Sequence, residues 1–182
     1  MSYLRMFVAI ELPCSVRSAL HAMQPKVASV RGTTADNLHL TLHFIGLADP
    51  EPLKQALAPL SGALAPFTLE LSGVGHFSGR GRSLILWAGV QLSPELLRVH
   101  SEIGRLLTAA GVAVELRPYC PHVTIARGQN VLRSDVNDFL NAYRDYSATV
   151  TVDSVCLVSS LPQHGGSIYT VEQRYQFAEP PR

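Results

Sequence analysis

Two short strings, His39-Leu40-Thr41-Leu42 and His122-Val123-Thr124-Ile125, repeat one pattern, His-x-Thr followed by an apolar residue, about half the chain apart. Residues two apart on a strand share a face, so each string presents an imidazole and a hydroxyl together. An imidazole, with a reference pKa of about 6.5, works as acid or base near neutrality. Two such strings facing each other would set an acid, a base and two hydroxyl donors around one phosphate. Phosphodiester cleavage needs that division: one histidine activates water, the other protonates the leaving oxygen, and threonines and arginines hold the nonbridging oxygens.

Competing readings of the same residues are weaker. On the first motif strand Leu38, Leu40, Leu42 and Phe44 fall on one face and His39, Thr41 and His43 on the other. Three buried polar side chains without partners would each cost about 1 kcal/mol or more, so the polar face must meet water or a ligand. A lone histidine would be read as a core residue, but the repeat in the second half argues against it. His39 and His43 have the spacing of a helical zinc pair, yet on a strand their Cα atoms lie roughly 13 Å apart, too far for one ion. Cys120, two residues before His122, lacks a third group to orient the histidine as a nucleophile's base, and no Gly-x-Ser-x-Gly turn supports a serine triad. No metal and no cofactor are expected.

The elements that must position these strings can be read from periodicity. Met6 to Leu12 is a buried strand and Ser15 to about Gln24 a helix that Pro25 ends. The first motif strand, Leu38 to Ile45, precedes a helix that starts at Asp49-Pro50-Glu51 and carries Leu53, Ala56, Leu57 and Leu60. Strands come next at Phe67 to Val74 and Ser83 to Val90, then a helix capped by Ser93-Pro94-Glu95 with the stripe Leu96, Val99, Ile103, Leu106 and Leu107, closed by Gly111. The second motif strand, Pro121 to Ala126, leads to a helix near Ser134 to Tyr143 and strands from about Thr149 to Val158 and from Ser167 to Tyr175. Each half thus reads strand, helix, motif strand, helix, strand, strand, the last strand of the first half doubling as the first of the second. The expectation is an α+β fold of one bilobal domain over residues 1–182, with a pseudo-two-fold axis, two antiparallel sheets lining a central groove, and helices outside.

Composition sets the limits. The chain has 182 residues, 47% apolar and 16% charged, enough for a real core. Lys+Arg 15 against Asp+Glu 14 gives a net charge of +1, so a nucleic-acid partner must be gripped by a local patch and not by a global field. Cys14, Cys120 and Cys156 are odd in number and far apart, which fits free thiols in a reducing cytoplasm. No stretch is long enough to span a bilayer, and the opening apolar run is broken by Glu11 with no cleavage site after it. A cytoplasmic protein without a membrane partner is expected.

The segments Asn37-Leu38-His39-Leu40-Thr41-Leu42-His43-Phe44-Ile45-Gly46 and Pro121-His122-Val123-Thr124-Ile125-Ala126-Arg127 resemble the paired signatures of the two-histidine (2H) phosphoesterase superfamily, nearest its RNA 2′,3′-cyclic phosphodiesterase branch, also called 2′-5′ RNA ligase. Arg5-Met6-Phe7-Val8-Ala9-Ile10-Glu11-Leu12-Pro13 and Leu86-Trp87-Ala88-Gly89-Val90 are similar to the same branch, so the resemblance runs along nearly the whole chain. It implies hydrolysis of a 2′,3′-cyclic phosphate RNA end to a 2′-phosphomonoester by a monomer, with reversible 2′-5′ joining as a related activity. By the same resemblance His39 is the proton donor, His122 the proton acceptor, and Thr41 and Thr124 bind phosphate oxygens. The strings themselves are too symmetric to tell acid from base. Arg127 ends the second motif as in that branch and is a candidate phosphate contact or site-shaping residue, but strict alternation sets it on the face opposite His122: either the strand ends or bends there, or Arg127 is a structural ion-pair partner. His43 lies outside the repeat, its counterpart by spacing being Ala126, and is a candidate groove contact, not a catalyst. Arg80 and Arg82 read as a solvated turn. The alternative is a nucleotide or RNA binding module of this fold without turnover.

Overall fold

In the computed structural model, which describes residues 3–115, 117–164 and 166–178, nine strands and four α-helices alternate along the chain. The first half runs β1 (Leu4–Glu11), α1 (Cys14–Ala22), β2 (Val30–Gly32), β3 (His39–Ala48), α2 (Pro50–Leu57) and β4 (Phe67–Ser78). The second runs β5 (Ser83–Val90), α3 (Pro94–Ala109), β6 (His122–Gln129), α4 (Arg133–Ala142), β7 (Ser147–Val152), β8 (Ser154–Gln163) and β9 (Gly166–Gln176).

Local chemistry sets the helix starts. The Asp49 carboxylate accepts from the Glu51 amide at 3.2 Å and the Ser93 hydroxyl from the Leu96 amide at 3.1 Å, each followed by a proline that needs no amide partner. Helix α3 turns Leu96, Val99, Ile103, Leu106 and Leu107 inward, the expected stripe. These side chains pack with Val16 and Leu20 of α1, Leu53 and Leu57 of α2 and Val136 and Phe139 of α4. Against them lie alternate strand residues, among them Val8, Ile10, Leu40, Leu86, Val123 and Leu157. Burying each such side chain contributes about 1.5–3 kcal/mol, which holds the helices to one face of the sheet. Among the described residues no helix is long and apolar enough to cross a membrane.

The strands form one antiparallel sheet in the order β7-β4-β5-β6-β3-β1-β8-β9, with β2 also on β6. The two expected sheets are its halves, β7-β4-β5-β6 and β3-β1-β8-β9, joined where β3 meets β6. A pseudo-two-fold through that junction exchanges β3 with β6 and β1 with β5. The lobes are not the sequential halves of the chain, because β4 crosses to pair with β5 and β7 while β8 and β9 return to β1. The single strand expected from Thr149 to Val158 is therefore two: β7 completes one lobe, Asp153 breaks the run, and β8 begins the other. Since only Asp153 separates strands that stand six places apart in the sheet, the sheet must curl until their ends meet, and the Phe177 amide donates to the Asp153 carbonyl at 2.7 Å there.

Candidate active site

The two motif strands pair at one position, Leu40 opposite Val123, both fully buried. In an antiparallel ladder this register sets His39 across from Thr124 and Thr41 across from His122, all on the face that the helices leave uncovered. The imidazoles stand on a diagonal, their backbones about 7–8 Å apart, which leaves room for one phosphate between the rings. Past this pair β3 leaves β6, and β2 takes over the β6 edge at residues 126–128.

Both rings are held alike. His39 Nδ1 lies 2.6 Å from the Asn37 carbonyl and His122 Nδ1 2.8 Å from the Cys120 carbonyl. A carbonyl only accepts, so Nδ1 carries the hydrogen in each neutral ring and Nε2 is the working nitrogen. At His39 the Thr41 hydroxyl lies 3.0 Å from Nε2 and donates to it. Aromatic rings wall each imidazole: Phe7 stacks on His39 at 4.9 Å with Tyr169 edge-on at 5.3 Å, and Phe77 meets His122 edge-on at 4.9 Å with Trp87 at 6.3 Å. These walls were not assigned from the sequence. Phe7 and Ala9 join Cys156 and Val158 in a small apolar cluster on the groove face, separate from the main core, and Tyr169 packs on it. Gly75 opposes Trp87, and its missing side chain gives the indole its seat.

The symmetry ends at the cross-strand neighbours. Glu11 on β1 pairs with His39, whereas Gly89 on β5 pairs with His122. The Ser72 carbonyl fills the place where a Cβ at Gly89 would go, so no carboxylate fits there. Glu11 is ion-paired with Arg174. Burial pushes the His39 pKa below its ordinary value; the Asn37 carbonyl and the Glu11 carboxylate pull it up, while the Arg127 and His122 charges push it down.

Two matched bulges decide what else reaches the groove. On β3 the ladder with β1 skips Leu42, pairing Thr41 with Ala9 and His43 with Val8. His43 is thereby turned away from the groove and buried on the helix side, where its Nε2 donates to the His100 carbonyl at 2.8 Å. Its ring stacks on His100 at 4.1 Å, and His100 stacks on Tyr119 at 4.0 Å. Tyr119 in turn donates to the Thr41 carbonyl at 2.9 Å, tying the lead-in of β6 to β3. The same bulge carries Phe44, 65% exposed, onto the groove face opposite Phe7. On β6 the ladder with β5 skips Ile125, so Ile125 and Ala126 are both buried and Arg127 moves to the face of His122 and Thr124. Among the described residues Arg127 makes no ion pair, so the strand-bend reading of Arg127 describes its position. Among those residues, too, no group of three or more His, Cys, Asp or Glu side chains gathers as a metal site.

A model of the 2′-5′ RNA ligase superfamily matches residues 12–163. An RNA 2′,3′-cyclic phosphodiesterase of Methanocaldococcus jannaschii is 27% identical over 172 residues, covering 92% of this chain and 98% of that protein. One of Geobacillus stearothermophilus is 30% identical over 128 residues, 66% of this chain, which spans 41% of that relative's length. The crystal structure of E. coli LigT complexed with 3′-AMP superposes with a TM-score of 0.77 at 26% identity, over 97% of this chain and 99% of the other.

Two measurements check the electrostatics. Titrating the His39 ring by NMR should give a pKa lower in Glu11→Gln than in the wild type and higher in Arg127→Gln; equal values in all three would rule out both charges as causes. Burial lowers the pKa of His43, and burial followed by the His43 charge lowers that of His100 to about 4, so the folded state binds fewer protons than the unfolded chain below about pH 6.5. Stability should therefore be full above that pH and fall progressively towards pH 4. A His100→Phe variant should lose less of its thermal midpoint over that window than the wild type.

Proposed function

The chain belongs to the 2′-5′ RNA ligase superfamily, and on that footing we propose that it is an RNA 2′,3′-cyclic phosphodiesterase that opens the cyclic phosphate at an RNA 3′ end to a 2′-phosphomonoester. The observation that carries this reading is the antiparallel register at Leu40 and Val123, which brings two imidazoles and two hydroxyls to one face. Homologues bearing this activity in their names support it from outside the chain.

His122 Nε2 takes a proton from water as the water oxygen attacks phosphorus. The bond from phosphorus to the 3′ oxygen breaks, and His39 Nε2–H gives its proton to that oxygen, leaving a free 3′-hydroxyl and the phosphate on the 2′ oxygen. The groups then differ by one proton each, which solvent restores. A 5′-hydroxyl in place of water gives a 2′-5′ linkage through the same two transfers. His39 takes the donor's part by likeness to the family; burial holds its pKa down in the open groove, and an anionic phosphate bound beside it, together with Glu11 one strand away, pulls it up. Thr41, Thr124 and Arg127 hold the nonbridging oxygens, and their grip strengthens as the transition state spreads negative charge over those oxygens. The exposed Phe44 ring offers a face on which the terminal base stacks. Two histidines supply both acid and base, so the reaction needs no metal. Both motifs come from one chain acting as one bilobal domain, which makes a monomer sufficient, and the free cysteines suit the cytoplasm.

The deciding experiment incubates the protein with an oligoribonucleotide bearing a 2′,3′-cyclic phosphate, with and without chelator, and identifies the product. A 2′-phosphomonoester formed equally in both is expected. His39→Ala and His122→Ala should each lose on the order of 10²-fold or more in kcat with unchanged circular dichroism. No product from the wild type would leave a binding module, and activity lost only with chelator would overturn the metal-free route.

A further inference from the structure

The sheet has a second concave place, on the face opposite the histidines. A cleft of about 850 Å³ opens between the β4–β5 turn and the first turn of α4. Its strand wall is His76, Ser78 and Leu84. His76 pairs with Leu86 and Ser78 with Leu84, and both leucines belong to the core under the helices, so the sheet itself stands between this cleft and the groove. The catalytic reading does not use it.

The cleft combines cationic, apolar and amide surfaces. Arg82 and Arg133 line it, and neither has an ion-pair partner among the described residues. No carboxylate lines it among those residues; the two acids of α4, Asp135 and Asp138, line a separate pocket with Met23 and Tyr143. Leu132 stands at the N-cap of α4 and offers no side-chain acceptor, so the first amides of the helix are open to an anion there. Leu84, Val131 and Val136 add an apolar surface, and the carboxamides of Asn130 and Asn137 line the cleft as well.

The backbone supplies a second, independent sign. Among the described residues only Arg82 and Asn130 hold a left-handed φ, 59° and 55°, without being glycine, and both stand at this cleft. Asparagine tolerates that conformation, whereas an arginine gives up stability there that a glycine would keep. The turn is nevertheless fixed: the Asn130 amide donates to the Arg82 carbonyl at 3.1 Å, and the Gly79 amide to the Ser83 carbonyl at 2.9 Å. A strained turn that presents an unpaired cation to a pre-formed cleft serves binding and not packing.

We propose that this cleft is a second, non-catalytic site that binds a nucleoside phosphate. The two guanidiniums and the open amides of α4 take the phosphate, the apolar surface takes the face of the base, and the carboxamides take its polar edge. The volume exceeds what a bare phosphate needs and falls in the range of sites for small organic ligands. The inference is independent of the cyclic phosphodiesterase reading.

The test titrates the isotope-labelled full chain with adenosine 5′-monophosphate, adenosine and inorganic phosphate, and follows the backbone amides by NMR, which separates cleft from groove residue by residue. The monophosphate should give saturable shifts at Leu84, Asn130 and Val136, with a Kd about tenfold or more below those of adenosine and phosphate. Arg133→Gln, at an exposed helix start, and Arg82→Gly should each weaken that binding about tenfold and leave the shifts at His122 and Thr124 as in the wild type. Arg82→Gly should also have a thermal midpoint no lower than the wild type's, because glycine takes the left-handed backbone freely. Shifts confined to the groove, equal Kd values for phosphate and the monophosphate, or an unchanged cleft Kd in Arg133→Gln would each overturn the site.

Discussion

One antiparallel bridge, Leu40 to Val123, carries the whole site. Side chains on a strand alternate with period two, so a slip of one residue at this bridge would send one strand's His and Thr beneath the helices. The register is held from three directions. Both bridge residues are fully buried in the core, the Tyr119 hydroxyl ties the approach to β6 onto the Thr41 carbonyl, and the His43 ring anchors β3 to α3 through the His100 backbone. The strands then part, and it is this parting that opens a groove where the ladder would otherwise continue.

A pseudo-two-fold makes two equivalent histidines, but their surroundings are not equivalent. The difference is supplied one strand away. At His39 the cross-strand place holds Glu11, and at His122 it holds Gly89, where the Ser72 carbonyl has taken the space. Packing of β4 against β5 thus enforces the electrostatic asymmetry, and the sequence repeat in the motif strands survives alongside it.

Most of this was legible in the sequence where one face decides. The motif strands, the α3 stripe and the proline-led helix starts all come from periodicity and capping, and His39, Thr41, His122 and Thr124 fall on one face by alternation alone. Alternation misplaces the residues beyond each bulge: it sends His43 to the groove, and leaves Phe44 and Arg127 on the far side. The one local trace was the pair of adjacent apolar residues Ile125 and Ala126, both of which the core accepts. The exchange of strands between lobes left no local signal, since β7 and β8 read as one run until each finds its partner. Glu11, Phe77 and Trp87 reach the histidines only through strand pairing, and pairing between distant segments is not written in either segment.

The small net charge gives the bulge at Ile125 its importance. A chain with a net charge of +1 exerts no field that gathers a polyanion, so its hold on RNA has to come from a few arginines at fixed places. Without the bulge Arg127 would lie under the helices, and Arg31 opposite it would go with it, because cross-strand partners share a face. The groove face of β6 would then carry no cation beyond Thr124. One extra residue in one strand therefore adds two cations to the groove face beside the histidines, at the cost of a single ladder position.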